Sequence, residues 1–291
     1  MSAWLRGVPY EVAFWRSYYA SRRRRADLFG WSLYGKPCRL DGFDIDAYVG
    51  SLGHDDPVIL DVGCALSYAF GNVIAGRERR VGYVDPLAPF YNRILDRYGI
   101  DRPRIEFGMV EMLAASYGAD NVDFIHVRNA LDHCADPFEG ILQCLVCLRP
   151  GGVLYLNHFV NEAEREAYRG FHRFNLKEED GRLILWNPSR RLDVGHEIAS
   201  FARLTAMTTP EGRVVAVITK TGEVPESVCS LRQTARRASE SLMSTVGFFH
   251  TVPNVARYQW QRGVASCGHR LMRLLPHSWL EGVKRLFRKL S

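Results

Sequence analysis

Val58-Ile-Leu-Asp-Val-Gly-Cys-Ala-Leu-Ser67 is an apolar run that passes through Asp61 and Gly63 and then breaks into small residues. Such a run reads as a buried strand halting at a glycine-containing turn before a helix. That arrangement leaves unpaired backbone N–H groups at the carboxyl edge of a sheet, where nucleotide-like cofactors bind. Asp-x-Gly also occurs in ordinary turns, so the run decides little until its neighbours are read.

Twenty-two positions beyond Gly63 a second apolar run, Arg80-Val-Gly-Tyr-Val-Asp85, again ends in an acid. This is the spacing at which a doubly wound sheet holds a ribose diol, whose two neighbouring hydroxyls donate to one carboxylate. Apolar runs at 57–62, 80–85, 103–108, 122–128 and 151–157 alternate with helical patterns, the mark of parallel βαβ units. Residues 198–207 and 213–219 flank Pro210-Glu-Gly212 and predict an antiparallel closing hairpin. Leu183-Ile-Leu-Trp-Asn-Pro188 reads as an inserted strand in the wall of a substrate site.

Three stretches then carry a family likeness: Leu60-Asp-Val-Gly63, Asp123-Phe-Ile-His-Val-Arg-Asn-Ala-Leu-Asp-His133 and Cys147-Leu-Arg-Pro-Gly-Gly-Val153. In these, within residues 57–160, the chain resembles the class I S-adenosylmethionine-dependent methyltransferases. A narrower likeness covers Val84-Asp-Pro-Leu-Ala-Pro-Phe-Tyr-Asn92 and Asn161-Glu-Ala-Glu-Arg-Glu-Ala-Tyr-Arg-Gly-Phe-His-Arg-Phe-Asn175. Those segments resemble methyltransferases of bacterial cell-surface polysaccharide assembly.

The resemblance implies an α/β fold, a Rossmann-like and mostly parallel seven-stranded sheet with helical amino- and carboxyl-terminal appendages. It implies S-adenosyl-L-methionine as cofactor and a sugar or glycan hydroxyl, lipid-linked or phosphorylated, as methyl acceptor. On this likeness Asp61 and Gly63, with Ala65 and Ser67, shape the turn under the methionine moiety. Asp85 and Pro86 meet the ribose, Val110 and Glu111 line the adenine, and Asn129 closes the site. The chain departs from the family pattern at Ala65, where glycine is usual, at Ser67, where glycine or threonine is frequent, and at Met109, where an acid often meets the adenine amino group.

Transfer to a neutral hydroxyl calls for a general base. His133 follows the Asn129–Asp132 turn at the end of the fourth strand, which faces the sulfur end of the cofactor in this family, and is the first candidate. His158, just beyond the fifth strand, is the second, and Asp132 is expected to orient either imidazole. His172 and Arg173, with Trp186, are read as acceptor contacts. His126, His133, His158 and His172 with Asp132 and Asp136 offer ligand atoms, but no two stand at a recognised ligand spacing, so no metal is expected.

Composition bounds the rest. The chain has 291 residues, 47% hydrophobic and 24% charged, enough for one large core with appendages. Three segments are expected: a helical cap at 1–55, a cofactor domain at 56–225 and a basic helical extension at 226–291. In the cap, Tyr10, Phe14, Trp15, Tyr18 and Tyr19 recur at helical spacing and predict a covering aromatic face. No run of eighteen uncharged apolar residues occurs, and Arg6 and Glu11 interrupt the place where a signal peptide needs an apolar segment. Seven cysteines, an odd number, argue against a disulfide framework, and Cys144 and Cys147 lie in a helical pattern with no second pair. A reducing cytoplasm is the expected setting.

Charge is uneven. Residues 1–40 hold eight basic against two acidic side chains and residues 268–291 six against one, so with a net +6 the middle is acidic. That balance weighs against a nucleic-acid partner, although a nucleic-acid methyltransferase and a non-catalytic scaffold are the competing readings. Arg22-Arg-Arg-Arg25 is a solvated helix face or an anion contact. Trp279, Leu280, Val283, Leu286, Phe287 and Leu290 fall on one helical face with Lys284, Arg285, Arg288 and Lys289 on the others. Such a helix packs on its own domain or on a partner subunit, or lies against the inner face of a membrane. Oligomeric state is not legible.

Overall fold

The computed structural model describes residues 2–20, 32–168, 170–225 and 244. The Arg22–Arg25 run and, Ser244 aside, the 226–291 extension with its basic amphipathic helix lie outside the described residues. Among the described residues no helix is long and apolar enough to cross a membrane.

In chain order come α1 (Ser2–Ala20), α2 (Ile45–Ser51), β1 (Ile59–Val62), β2 (Val73–Ile74), β3 (Arg77–Glu78), β4 (Val81–Asp85), α3 (Ala88–Tyr98) and β5 (Glu106–Phe107). There follow α4 (Leu113–Tyr117), β6 (Val122–Arg128), α5 (Pro137–Cys147), β7 (Leu148–Phe159) and α6 (Glu162–Arg165). The chain then forms β8 (Asn175–Glu179), β9 (Arg182–Asn187), β10 (Arg190–Asp193), α7 (Val194–Ile198), β11 (Ala202–Thr208) and β12 (Arg213–Lys220).

The central sheet has seven strands in the order β11-β12-β7-β6-β1-β4-β5. The five strands from β7 to β5 pair in parallel, and β12 runs antiparallel to both β7 and β11. Strand order reverses at β1, which has β4 on one side and β6 on the other, and a crevice opens at the carboxyl ends of strands beside such a switch. Burial explains the sequence pattern: all four residues of β1 and the first six of β6 are buried, as strands covered on both faces must be.

The Arg149-Pro-Gly-Gly152 segment is held by charge. Arg149 Nη1 donates to both oxygens of Asp123 at 2.7 and 2.8 Å, and Asp123 Oδ2 also accepts the Val58 N–H at 2.7 Å. One buried carboxylate thus fixes the starts of β1, β6 and β7 together, and charge-assisted bonds of this kind are the strong ones.

Three strand expectations change in detail. The 103–108 run yields only Glu106–Phe107 as strand, because Pro103 has no N–H to give and β5 is an edge with one neighbour. The insertion is more than the one strand expected: β8, β9 and β10 form a three-stranded antiparallel sheet, with Leu183, Ile184 and Leu185 buried in its middle strand. The closing hairpin, read from 198, starts instead at Ala202, because Ile198 ends helix α7 (Val194–Ile198), which is capped by Asp193 Oδ1 accepting the His196 N–H.

Helix α1 lies against the domain through its aromatic side. Trp15 and Tyr19 are buried, Trp15 packs edge-on against Tyr91 of α3 at 6.3 Å, and the Tyr19 hydroxyl donates to Leu66 O at 2.8 Å. Phe14 and Tyr18 are partly buried against the same core.

The turn after β1 sets the geometry of the crevice. Gly63 has φ +70°, and a Cβ there would overlap the Cβ of Ala130 beyond β6. Ala65 has φ +47°, so it takes up the left-handed conformation that glycine adopts without penalty. The methyl group therefore strains the turn without reshaping it. Gly63→Ala should lower stability by about 2–4 kcal/mol, from left-handed strain plus overlap. Ala65→Gly should stay within about 1 kcal/mol of wild type, on the stabilising side, because relief of strain exceeds the added freedom of the unfolded chain. Urea denaturation midpoints of the two variants check the contrast.

Candidate active site

A cavity of about 700 Å³ opens at the carboxyl ends of β1, β4 and β6, within the range of about 300–1,000 Å³ typical of small-molecule sites. Of the residues that sequence placed at a cofactor, Gly63, Ala65, Ser67, Asp85, Pro86, Val110, Glu111 and Asn129 all line it. His133 and His172 line it as well. Asp61, Asp132, His158, Arg173 and Trp186 do not appear on its wall, and each has a different physical reason.

Asp61 turns away from the cavity. Its Oδ1 lies 2.7 Å from His126 Nδ1, both side chains are buried, and the imidazole stacks against Tyr155 with ring centroids 5.9 Å apart. Asp61 therefore supports the turn from beneath, in a hydrogen-bonded pair that satisfies two polar groups inside the core.

Asp85 points into the crevice and binds its rim. Oδ2 accepts the Ala65 N–H at 3.0 Å and Oδ1 accepts the Leu87 N–H at 2.8 Å. Each oxygen keeps a lone pair for a further donor. Burial raises its pKa to about 7, against the pull of those two N–H groups.

Next along the rim, Met109 and Val110 present apolar surface, and Glu111 is buried with Oε1 accepting the Ala135 N–H at 2.8 Å. Burial raises the Glu111 pKa. Ser67 Oγ donates to Cys64 O at 3.0 Å, which closes the turn on itself.

At the far end, Asn129 has φ +48° and its Oδ1 accepts from the Phe159 N–H and from Arg213 Nη2. Arg213 also donates from Nε to Asn157 Oδ1 and lies over the Phe159 ring at 4.1 Å. Burial lowers the Arg213 pKa to about 10, still far above neutrality. A buried, charged guanidinium thus lines this end together with Arg128, Phe159, Phe171, Glu162 and Glu166.

Between the two ends stands a cluster from two segments. Asp132 and His133 sit on a single 3₁₀ turn after β6, and the Arg173 N–H donates to Asp132 O at 3.0 Å, bringing the segment after α6 alongside. His172 Nδ1 then lies 2.6 Å from Asp132 Oδ2 and 3.2 Å from His133 Nε2. Burial alone would raise the Asp132 pKa, but His133 and His172 outweigh it and the carboxyl is lowered. Burial would lower the His172 pKa, but the hydrogen bond to Asp132 outweighs that and it is raised. Arg173 thus acts through its backbone, and Asp132 lies behind the two imidazoles.

His158 is 1% exposed, with neither ring nitrogen hydrogen-bonded among the described residues, and burial lowers its pKa to about 3. It stands behind the wall as a neutral imidazole. Trp186 Nε1 donates to Asn161 Oδ1 at 2.9 Å, so the indole anchors the insertion to the turn before α6.

Sequence reasoning did not place Glu11, Tyr91, Phe159, Glu162, Glu166 or Arg213 at the site. Glu162 is notable because burial raises its pKa to about 7. A strand end beside Gly212 was the available signal for Arg213; nothing local marked the others.

No family model and no curated protein matches the sequence. Among solved structures the chain is similar to the PH0226 protein of Pyrococcus horikoshii OT3, at 11% identity over 70% of this chain and 93% of that one, TM-score 0.40. It is similar also to a SAM-dependent methyltransferase from Aquifex aeolicus, at 14% identity over 67% and 98% of the two chains, TM-score 0.39. A third is the T. thermophilus 16S rRNA N2 G1207 methyltransferase in complex with AdoMet and guanosine, at 13% identity over 65% and 42%, TM-score 0.36. Likeness at this level does not bear on what the chain does; its own residues do.

The raised pKa of Asp85 has a sign that calorimetry can read. Hydroxyl donors favour the carboxylate, so the affinity of a diol-bearing ligand, with S-adenosylhomocysteine as the probe for the cofactor expected from sequence, should fall by roughly tenfold between pH 8.5 and pH 5.5 as Asp85 takes up its proton near neutrality. Asp85→Asn should bind more weakly and lose most of that dependence.

Proposed function

We propose that the chain transfers a methyl group from S-adenosyl-L-methionine to a hydroxyl of a sugar, in a cell-surface glycan or its precursor. The observation that supports this is continuity: one cavity runs from the Gly63–Asp85 notch to the His133–His172 cluster, so a cofactor and an acceptor share one space. Gly63 and Ala130 both line the cavity and touch so closely that a side chain at 63 would push the two strand tips apart, so the notch that would take the cofactor depends on glycine there.

Asp85 would hold the ribose hydroxyls, Met109, Val110 and Glu111 the adenine, and Gly63, Ala65 and Ser67 the methionine end. When bound, the cofactor supplies an electrophilic methyl group on a positively charged sulfur. The protein's part is to position the acceptor and to take away its proton. His133 faces the cavity with about a quarter of its side chain exposed, and in the cluster as it stands it accepts the hydroxyl proton. Asp132, ionised and almost wholly buried, holds the resulting positive charge, and His172 fixes the carboxylate.

At the acceptor end Phe159 and Phe171 offer apolar faces to a sugar ring, while Arg128 and Arg213 suit an anionic group on it. The acceptor class itself rests on the likeness of residues 84–92 and 161–175 to enzymes of polysaccharide assembly. A cytoplasmic protein working at the inner face of the membrane, on a lipid-linked precursor, is the setting this reading implies.

His133→Ala should leave S-adenosylhomocysteine affinity within about twofold of wild type yet slow methyl transfer by about a hundredfold or more. Labelled cofactor with cell-envelope glycan and lipid fractions provides the assay. Incorporation into RNA but into none of those fractions would replace the sugar reading.

A further inference from the structure

Asp132 Oδ2, His172 Nδ1 and His133 Nε2 stand at the corners of one small triangle. Its edges are 2.6 Å between carboxylate and His172, 3.2 Å between the imidazoles and 3.4 Å between His133 and the carboxylate. One proton on His172 Nδ1 accounts for the shortest edge, and the two imidazole nitrogens converge on the same carboxylate oxygen.

Two further groups in this neighbourhood are short of partners. Asp132 Oδ1 is buried and has no hydrogen-bond partner among the described residues. The ring nitrogens of His158, within electrostatic reach of Asp132 and His133, share that condition. A buried carboxylate so incompletely bonded, beside two convergent imidazoles, is a donor set with a cation-shaped gap.

We propose that Asp132, His133 and His172 bind a divalent transition-metal cation, with the remaining coordination positions open to the cavity and to the acceptor hydroxyl. Bonds of about 2.0–2.1 Å at tetrahedral angles place ligand atoms about 3.3 Å apart. Two edges of the triangle, 3.2 and 3.4 Å, already match, and the 2.6 Å edge opens when the cation replaces the shared proton. His133 and His172 both line the cavity, which supplies the open side that a working metal needs.

The inference rests on the methyl-transfer reading for its chemistry, not for its geometry. A hydroxyl on the cation is acidified, its proton passes to Glu162 on the same cavity wall, and the oxygen keeps the electron pair. That pair forms the O–CH₃ bond as the S–CH₃ bond breaks, and the electrons of the broken bond remain on sulfur. In the metal-bound cluster His133 is a ligand, and Glu162 takes over as proton acceptor.

The test uses the full chain, dialysed against EDTA and titrated by calorimetry with Zn²⁺ alone, which nitrogen and oxygen sites bind more tightly than Mn²⁺ or Fe²⁺. S-Adenosylhomocysteine is titrated in separate runs. The expected result is one equivalent of zinc per chain, weakened by more than about a hundredfold in His172→Ala and in His133→Ala, since loss of a partner outside the coordination sphere alone costs 10–100-fold. Both variants should keep their affinity for S-adenosylhomocysteine, which shows that they are folded. No zinc binding by the wild type, or zinc affinity within about tenfold of wild type in either variant, overturns the proposal. Loss of S-adenosylhomocysteine binding with zinc binding retained would remove the methyl-transfer reading and leave the cation site standing.

Discussion

The carboxylate of Asp85 is the tie on which the cleft depends. It is 6% exposed and accepts one N–H from the turn after β1 and another from the entry to α3. The tips of two neighbouring strands are thereby locked at a fixed separation, in register from Ile59 opposite Val81 to Val62 opposite Val84. The Gly63 N–H extends that register by donating to Val84 O at 2.8 Å. Burying the charge is costly, and the two N–H groups only partly offset it, so the carboxylate retains an unmet demand for donors. An otherwise rigid rim is left with one chemically hungry point.

The parallel core was legible because its strands are covered on both faces. Ile59–Val62 and Val122–Val127 read as mostly apolar runs for that reason, and Gly63 after the first of them and Asp85 at the end of β4 marked the edge where ligands gather. Asp61 shows the limit of such reading. Strand alternation says that a side chain points up or down, but only the fold reveals that His126 waits 2.7 Å away on the adjacent strand. The insertion was under-read for a related reason: Lys177, Glu178 and Glu179 give β8 a polar surface, and its pairing with β9 is a tertiary event that no local pattern announces.

The histidine cluster was half legible. Asp132 and His133 are consecutive and stood out after the fourth strand, whereas His172 lies forty residues on and was assigned a separate role. The backbone bond from Arg173 to Asp132 unites them. It also shows why spacing rules could not see this cluster: they describe side chains on one helix or loop, and this constellation is drawn from two segments that meet only in the folded chain. Glu162 and Arg213 entered the site in the same way, from elements whose local sequence speaks of a short helix and a strand start.

The small sheet of β8, β9 and β10 leaves the core after β7 and returns before β11. Its entry is fastened by the Asn161 N–H donating to Leu176 O and by the Trp186 indole on Asn161, and its far side by Thr208 donating to Glu178. None of these ties passes through the parallel strands. The sheet's inner face belongs to the common core, since Leu176, Leu183 and Leu185 pack in one cluster with Val127, Leu156 and Val214, so only its outer residues can be exchanged while β7 and β12 keep their pairing. Sequence drift is therefore free to run on that outer side, away from the cavity, whose wall takes no residue from these three strands.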